Sequence, residues 1–86
     1  MSQVVLHRHS AKYLKRLPKD AKEQVKETLR RLQQNPLEQH GVKHMFGEWA
    51  GYHRMRVGKL RVIFWYDEKR DIVYVDNIGP RGDVYK

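Results

Sequence analysis

The stretch YHRMRVGKLRVIFWY, residues 52–66, decides the fold of this chain. Apolar and polar residues alternate on both sides of the central Gly-Lys pair (58–59), as in two antiparallel strands joined by a two-residue turn. Glycine in the first turn position favours a type II′ turn, and such a turn sets Val57 opposite Leu60. The stretch therefore predicts a β-hairpin whose register is fixed by its turn.

The two faces of this hairpin differ in chemistry, because side chains alternate between the faces of a sheet. One face is mostly apolar and is expected to cover helices: His53, Met55, Val57, Leu60, Val62, Phe64 and Tyr66. The other face displays Arg54, Arg56 and Arg61, with Arg56 directly opposite Arg61. Three guanidinium groups on one patch repel one another and cost stability. Their planar forks of donors match phosphate oxygens, which favours an anion site. Tyr52 and Trp65 on the same face are candidates to stack on bases.

Neutralisation of these arginines by carboxylates is the alternative interpretation. The run DIVYVDNI (71–78) predicts a third antiparallel strand after a four-residue DEKR loop (67–70). That loop sets Trp65 opposite Ile72 and brings Asp76 opposite Arg61. One aspartate cannot serve three arginines bidentately, so both interpretations stay open.

The residues before the hairpin predict a short strand and a pair of helices. QVVLHRH (3–9) is rich in β-formers, and Ser10 is a plausible N-cap for a helix over 11–17. Pro18 ends that helix, and apolar residues at helical spacing predict a second helix from Lys19 to about Gln34. The predicted fold class is α+β, with an N-terminal strand, an α-hairpin and a three-stranded antiparallel meander that forms one small sheet packed on the helices. Residues 1–86 form a single domain.

Length and charge narrow the function classes. The chain has 86 residues, no cysteine and a formal net charge of +8. Without cysteine it has no disulfide framework, thiolate zinc site or thiol nucleophile. No stretch approaches 18 apolar residues and no signal peptide is apparent, which predicts a soluble, cytoplasmic protein without membrane contact. Most of the net charge lies in residues 1–36. The basic helical surface is therefore either an ordinary solvated face or a docking surface for a polyanion.

No metal or cofactor is predicted. His40 and His44 are four residues apart, but a glycine lies between them and no carboxylate stands at a useful spacing. His7 and His9 share a strand face without a third ligand. Three apolar residues of the loop before the hairpin are expected in the core: Met45, Phe46 and Trp49.

The tail NIGPRGDVYK (77–86) bends at its glycines and proline just past the third strand. A short turn of this kind lets Arg81 curl back over the arginine face and holds Tyr85 nearby. A frayed basic tail is the alternative.

The run GYHRMRVGKLRVIFWYDEKRDIVYVDNIGPRGDVYK (51–86) closely resembles the C-terminal half of the RelE/ParE superfamily of type II toxin–antitoxin toxins. In that superfamily an Arg-x-Arg-x-Gly-x-x-Arg hairpin is followed by Ile-Gly-x-Arg-x-Asp-x-Tyr. LKRLPKDAKEQV (14–25) is also similar. The resemblance implies a RelE-like microbial RNase fold and, in the RelE branch, a ribosome-dependent endoribonuclease that cleaves mRNA in the A site and inhibits translation. It assigns the site to Arg54, Arg56, Arg61, Arg81 and Tyr85.

The implied reaction needs no metal. The ribose 2′-hydroxyl attacks the adjacent phosphate and leaves a 2′,3′-cyclic phosphate, while arginines neutralise charge on the phosphorane. Tyr85 stacks on the base or positions the phosphate. A guanidinium group stays protonated at neutral pH and is a poor general base, so the base is open, with Glu48 as a candidate. Arg54 and Arg56 are lysines in some members. Pro80 stands where histidine or lysine is frequent, and His53 where an aromatic residue is frequent.

Two other functions stay open. One is a ParE-like inhibitor of DNA gyrase that acts by binding, and the other is a non-catalytic basic nucleic-acid-binding module. The resemblance implies a cognate RelB-like antitoxin as partner, with the ribosome and mRNA as the substrate complex. The antitoxin is expected to lay a helix across the chain or to add to the sheet edge, in a hetero-oligomer with a toxin that is monomeric alone.

Overall fold

The computed structural model describes residues 2–37 and 42–80, and these form two helices packed on one face of a five-stranded sheet. The sheet order is β1-β5-β4-β3-β2, with β1 parallel to β5 and the other pairs antiparallel. The elements in chain order are β1 (Gln3–Leu6), α1 (Arg8–Arg16), α2 (Lys19–Gln34), β2 (Lys43–His44), β3 (His53–Val57), β4 (Leu60–Asp67) and β5 (Ile72–Pro80). The α+β prediction is confirmed.

The β3–β4 hairpin has the predicted register. Val57 pairs with Leu60, and Arg56 pairs with Arg61. Gly58 takes a φ of 59°, whereas Lys59 is not among the residues with positive φ. A type II′ turn requires this combination, because only its first central residue is left-handed. The turn therefore sets which side chains share a face.

The apolar face of the hairpin covers the helices as predicted. Buried residues from β3, β4 and β5 meet buried residues from both helices in one cluster: Leu14, Val25, Leu29, Leu32, Met55, Val57, Val62, Phe64, Val73, Val75 and Ile78. Helix α2 has the predicted bounds and buries one apolar stripe, as an amphipathic helix does. No helix within residues 2–37 or 42–80 is long and apolar enough to span a bilayer.

The predicted register between β4 and β5 is wrong. Trp65 pairs with Tyr74 instead of Ile72, and Arg61 pairs with Gly79 instead of Asp76. A bulge causes part of this shift: Phe64 pairs with Val75 whereas Ile63 pairs with Asn77, so Asp76 is an extra residue. Nε2 of His9 donates to the backbone carbonyl of Asp76 at 2.6 Å, which supports the bulged backbone.

The turn between β4 and β5 accounts for the rest of the shift. The carboxylate of Asp67 accepts the backbone N–H groups of Lys69 (3.1 Å) and Arg70 (3.2 Å). Asp67 thereby ends β4 as its last residue and opens the turn, in the manner of an Asx turn. Asp71 then takes a left-handed φ of 56° and accepts hydrogen bonds from Ser2 and Tyr66. The connection therefore occupies residues 68–71 and not 67–70.

The N-terminal boundary also differs from the prediction. Strand β1 ends at Leu6, and α1 begins at Arg8, before the predicted cap. The His7 side chain accepts the N–H of His9 at 3.4 Å and takes the capping role. Ser10 is fully buried inside the helix, where its hydroxyl donates to the carbonyl of Val75 at 3.4 Å. A hydroxyl in a buried position satisfies its hydrogen bond across the core instead of at the helix end.

The segment before the hairpin adds an edge strand that the sequence did not reveal. In β2, Lys43 pairs with Arg54 and His44 pairs with His53. The prediction of a buried Phe46 is wrong, since its side chain is 85% exposed in the turn that follows. Met45 and Trp49 are partly exposed, and Trp49 meets the ring of Tyr52 edge to face at 5.2 Å. This segment is a lobe on the sheet edge and not part of the core.

Candidate functional site

Four cationic side chains line one pocket on the face of the sheet away from the helices. The pocket has a volume of about 250 Å³ and is lined by Lys43, Arg54, Met55, Arg56 and Arg61. We call it the arginine pocket. Its walls come from three adjacent strands, which hold the charged groups on a rigid base. Cations converging on a shallow depression of this size have the charge and the donors that match an anion such as a phosphate group.

The strand pairing explains why the cations gather. Arg56 stands opposite Arg61, and Arg54 stands between Lys43 on one side and Ile63 on the other. In this ladder the neighbours of the cations are other cations, an isoleucine and Gly79. The carboxylate that the neutralisation alternative placed opposite Arg61 belongs to Asp76, but the turn and the bulge together set Gly79 opposite Arg61 instead. The alternative therefore loses the pairing on which it depended.

Lys43 is a pocket residue that sequence reasoning missed. It lies in a strand of two residues, which is too short for alternation to reveal a face. The only sequence signal for Lys43 is the number of residues between it and Arg54. That number predicts their pairing only when the turn between β2 and β3 is known. The structure thus replaces a three-arginine patch with a four-cation pocket.

A pair of stacked aromatic rings lies on the same sheet face, toward the other end of β4. Trp65 and Tyr74 face each other with ring centroids 4.5 Å apart and planes 15° apart. The prediction placed Trp65 on the arginine face, and alternation along β4 from Arg61 through Ile63 to Trp65 agrees with it. The stacking of Tyr74 on Trp65 was missed because the predicted register sets Tyr74 opposite Ile63. Tyr52 lies against Trp49 and is partly exposed.

Other predicted site residues stand apart from this geometry or outside it. Arg81 and Tyr85 lie outside the described residues, so their roles stay predictions. Glu48 is exposed in a single helical turn, Gly47–Trp49, and does not line the arginine pocket. Pro80 is the last residue of β5 and pairs with Leu60, the residue before Arg61.

His53 lies on the core face, and its environment is unusual for a histidine. The side chain is 8% exposed, and its buried Nδ1 has no hydrogen-bond partner among residues 2–37 and 42–80. Its ring contacts those of His44 and Phe64, with centroids 4.6 and 5.4 Å away. Burial lowers the pKa of His53 below its usual value of 6.5, and the nearby His44 lowers it further. The imidazole therefore occupies the place of an aromatic core residue.

Replacing His53 with phenylalanine is expected to stabilise the fold, by about 1 kcal/mol at pH 8, because an unsatisfied buried polar group costs about 1–3 kcal/mol. The gain should grow below pH 6.5. There the unfolded chain binds a proton at His53 more readily than the folded chain does, because the pKa of His53 is lowered in the fold, so the parent loses stability that the H53F variant retains. Urea unfolding at pH 8 and pH 5.5 measures both effects. If H53F were stabilised less at pH 5.5 than at pH 8, the lowered pKa of buried His53 would be contradicted.

The histidines do not assemble a metal site among the residues that the structure describes. His7 and His9 have ring centroids 4.1 Å apart, but Nε2 of His9 is already bonded to a carbonyl oxygen. His44 meets His53, and His40 lies outside the described ranges. Within residues 2–37 and 42–80, no group of three or more His, Cys, Asp or Glu is placed to hold a metal ion.

Comparisons with known proteins give one family and one fold. Residues 4–85 match the family described as "ParE toxin of type II toxin-antitoxin system, parDE". A chain of the archaeal RelE–RelB complex from Pyrococcus horikoshii superposes with a TM-score of 0.83 at 26% identity, covering 95% of this chain and 97% of that one. A chain of the toxin–antitoxin complex RelBE2 from Mycobacterium tuberculosis gives 0.81 at 23% identity, covering 93% and 98%. The isolated RelE toxin of E. coli gives 0.78 at 17% identity, covering 99% and 92%. No curated protein sequence matches the chain.

Proposed function

Because the chain belongs to the ParE toxin family of type II toxin–antitoxin systems, we propose that it is a toxin that cleaves mRNA on the ribosome. The observation that carries this proposal is the arginine pocket. A protein that only packs a sheet on two helices gains nothing from three arginines and a lysine in one depression, because like charges at cross-strand positions destabilise a sheet. A site for a phosphodiester explains all four.

The pocket suits the charge that develops in the reaction. The 2′-oxygen of a ribose forms a bond to the adjacent phosphorus, the bond from phosphorus to the 5′-oxygen of the next nucleotide breaks, and a 2′,3′-cyclic phosphate remains. The 2′-hydroxyl loses its proton and the departing 5′-oxygen gains one. Guanidinium groups held on strands stabilise the phosphorane without reorganising, which is the main source of rate enhancement in preorganised sites.

Arg81 and Tyr85 complete the proposed site as predictions from the sequence. Strand β5 ends at Pro80, whose partner Leu60 is next to Arg61 in β4. A residue just after Pro80 is therefore within a few residues of the pocket along the chain. We assign Arg81 a phosphate contact, and Tyr85 a contact to the substrate base or phosphate.

The proposal includes two partners. Structures with the same fold come from complexes named RelE–RelB and RelBE2, which supports a RelB-like antitoxin for this chain. The ribosome supplies the mRNA. Exposed lysines and arginines of the helices suit steering onto ribosomal RNA, because clustered charge raises association rates with polyanions.

Primer extension on an mRNA translated in vitro tests the proposal. Purified protein should produce new 5′ ends within the A-site codon when ribosomes are present, and added antitoxin should abolish them. Binding to naked RNA with steep salt dependence and no new ends would instead identify a non-catalytic nucleic-acid-binding module.

Inhibition of DNA gyrase is the second candidate, and the family description that names ParE favours it. The two candidates differ in what the cell shows after induction. Gyrase inhibition produces a DNA-damage response while messages stay intact. Supercoiling of relaxed plasmid by purified gyrase, with and without the protein, provides the direct assay. An inhibited gyrase together with uncut mRNA would replace the first proposal with the second.

A further inference from the structure

The stacked rings of Trp65 and Tyr74 lie at the other end of the sheet face that carries the arginine pocket. Three side chains form a row across adjacent strands here, with Val5 of β1 opposite Tyr74 and Tyr74 opposite Trp65. One face of the Tyr74 ring is covered by Trp65. Its other side adjoins β1, where Val5 is 36% exposed.

A second cavity opens beside this row. It has a volume of about 170 Å³, and its lining includes Val5, His7, Trp65, Tyr74 and Asp76. The walls combine aromatic and apolar surface with one carboxylate and one imidazole. Within the described part of the chain, no donor bonds to the side-chain carboxylate of Asp76. The hydrogen bond from His9 goes to the backbone carbonyl of Asp76. A planar ring with N–H groups on its edge fits such a cavity, since rings stack on aromatic faces and carboxylates accept from N–H donors.

This cavity and the arginine pocket lie on the same face of the sheet. Trp65 is the fourth residue after Arg61 in β4, which places it about 13 Å further along the strand. Ile63 lies between them on the same face and is 0% exposed. The distance is several times the 3.4 Å rise per nucleotide of a stacked strand. At that rise the distance spans about four nucleotides, so a phosphate in the arginine pocket and a base beside Tyr74 belong to nucleotides a few positions apart in one strand.

We propose that the cavity beside Trp65 and Tyr74 is a nucleobase site for the RNA strand whose phosphate occupies the arginine pocket. Charge complementarity fixes the occupant: cations at one end take the phosphate, and Asp76 at the other end repels phosphate and accepts from an amino group. The site therefore favours adenine, cytosine or guanine over uracil, because only those three carry an exocyclic amino group. The inference depends on the proposed function only in taking the strand to be RNA.

Fluorescence of Trp65 tests the site without requiring cleavage. In a Trp49→Phe background, Trp65 is the remaining tryptophan, because the chain has two. A short 2′-O-methyl oligonucleotide, which cannot be cleaved, should quench its emission. Tyr74→Leu should weaken binding about tenfold, and Tyr74→Phe, which keeps the ring, should restore it. Melting temperatures of both variants check that they are folded.

Abasic substitutions and base changes separate stacking from phosphate contact. One abasic residue in the oligonucleotide should weaken binding as much as Tyr74→Leu does, with no further loss when the two are combined. Uridine at that position should bind less tightly than cytidine, and Asp76→Asn should reduce this difference. Equal binding of abasic and intact strands would overturn the proposal. So would quenching by the antitoxin and not by RNA, since the site would then receive a protein. Quenching with these properties in a protein that leaves mRNA uncut would keep the base site and reject the cleavage proposal.

Discussion

Replacing Arg61 with alanine is expected to lower the rate of mRNA cleavage by about 10²–10³-fold, the usual cost of removing one preorganised donor to a developing negative charge. Arg61 lines the pocket and stands opposite Arg56, so its guanidinium group is placed by the hairpin register and not by a flexible loop. Growth arrest on induction should disappear. Single-turnover cleavage on stalled ribosomes measures the rate directly.

Two further variants distinguish charge from geometry at this position. Arg61→Lys keeps the positive charge but loses the planar fork, so its rate should lie between those of the parent and R61A. Arg70→Ala removes the same charge from an exposed side chain in the β4–β5 turn and should cleave at nearly the parental rate. Equal losses in R61A and R70A would mean that net charge alone matters. Full toxicity of R61A would reject the arginine pocket as the site.

The melting temperature of R61A should stay within a few degrees of the parent, even though activity is lost. Truncating one member of the Arg56–Arg61 pair relieves like-charge repulsion, which offsets part of the lost side-chain contacts. Loss of activity without loss of structure marks a residue that is retained for function. Thermal unfolding followed by circular dichroism provides the comparison.

The part of the site on the β3–β4 hairpin could be predicted because a single short-range feature controls it. A two-residue turn at Gly58 fixes the register, and alternation then assigns each side chain to a face. The arginines at 54, 56 and 61 needed no information from elsewhere in the chain. The same counting placed Trp65 on their face, in agreement with the structure.

The rest of the site depends on interactions that such counting cannot include. In β5, buried Val73 and Val75 predict that residue 77 faces the core, but the buried residue is Ile78. The change from odd to even positions is the sequence signal of the bulge at Asp76, and it becomes clear only once β4 is known to lie alongside. Lys43 required the pairing of β2, which is set by the turn that joins it to β3.

Replacing Phe64 with alanine is expected to lower the free energy of unfolding by about 3–5 kcal/mol, the usual cost of truncating a buried aromatic residue. Phe64 is 0% exposed in the middle of β4, within the cluster that joins the sheet to both helices. A domain of this size has only a few kcal/mol of net stability. Much of the F64A protein should therefore be unfolded at 37 °C, and toxicity should be lost through loss of the fold.

Phe46→Ala is the matched control, because it removes the same side chain from a position that is 85% exposed. Substitutions on the surface usually change stability by no more than about 0.5 kcal/mol, so this variant should unfold with the parent in urea. Antitoxin should partly restore folded F64A, since a partner that binds the folded state stabilises it by mass action. It should have no such effect on R61A, which is already folded. A free energy of unfolding of F64A within about 1 kcal/mol of the parent's would show that the core reorganises around the missing ring. The packing of Phe64 described above would then not be what stabilises the fold.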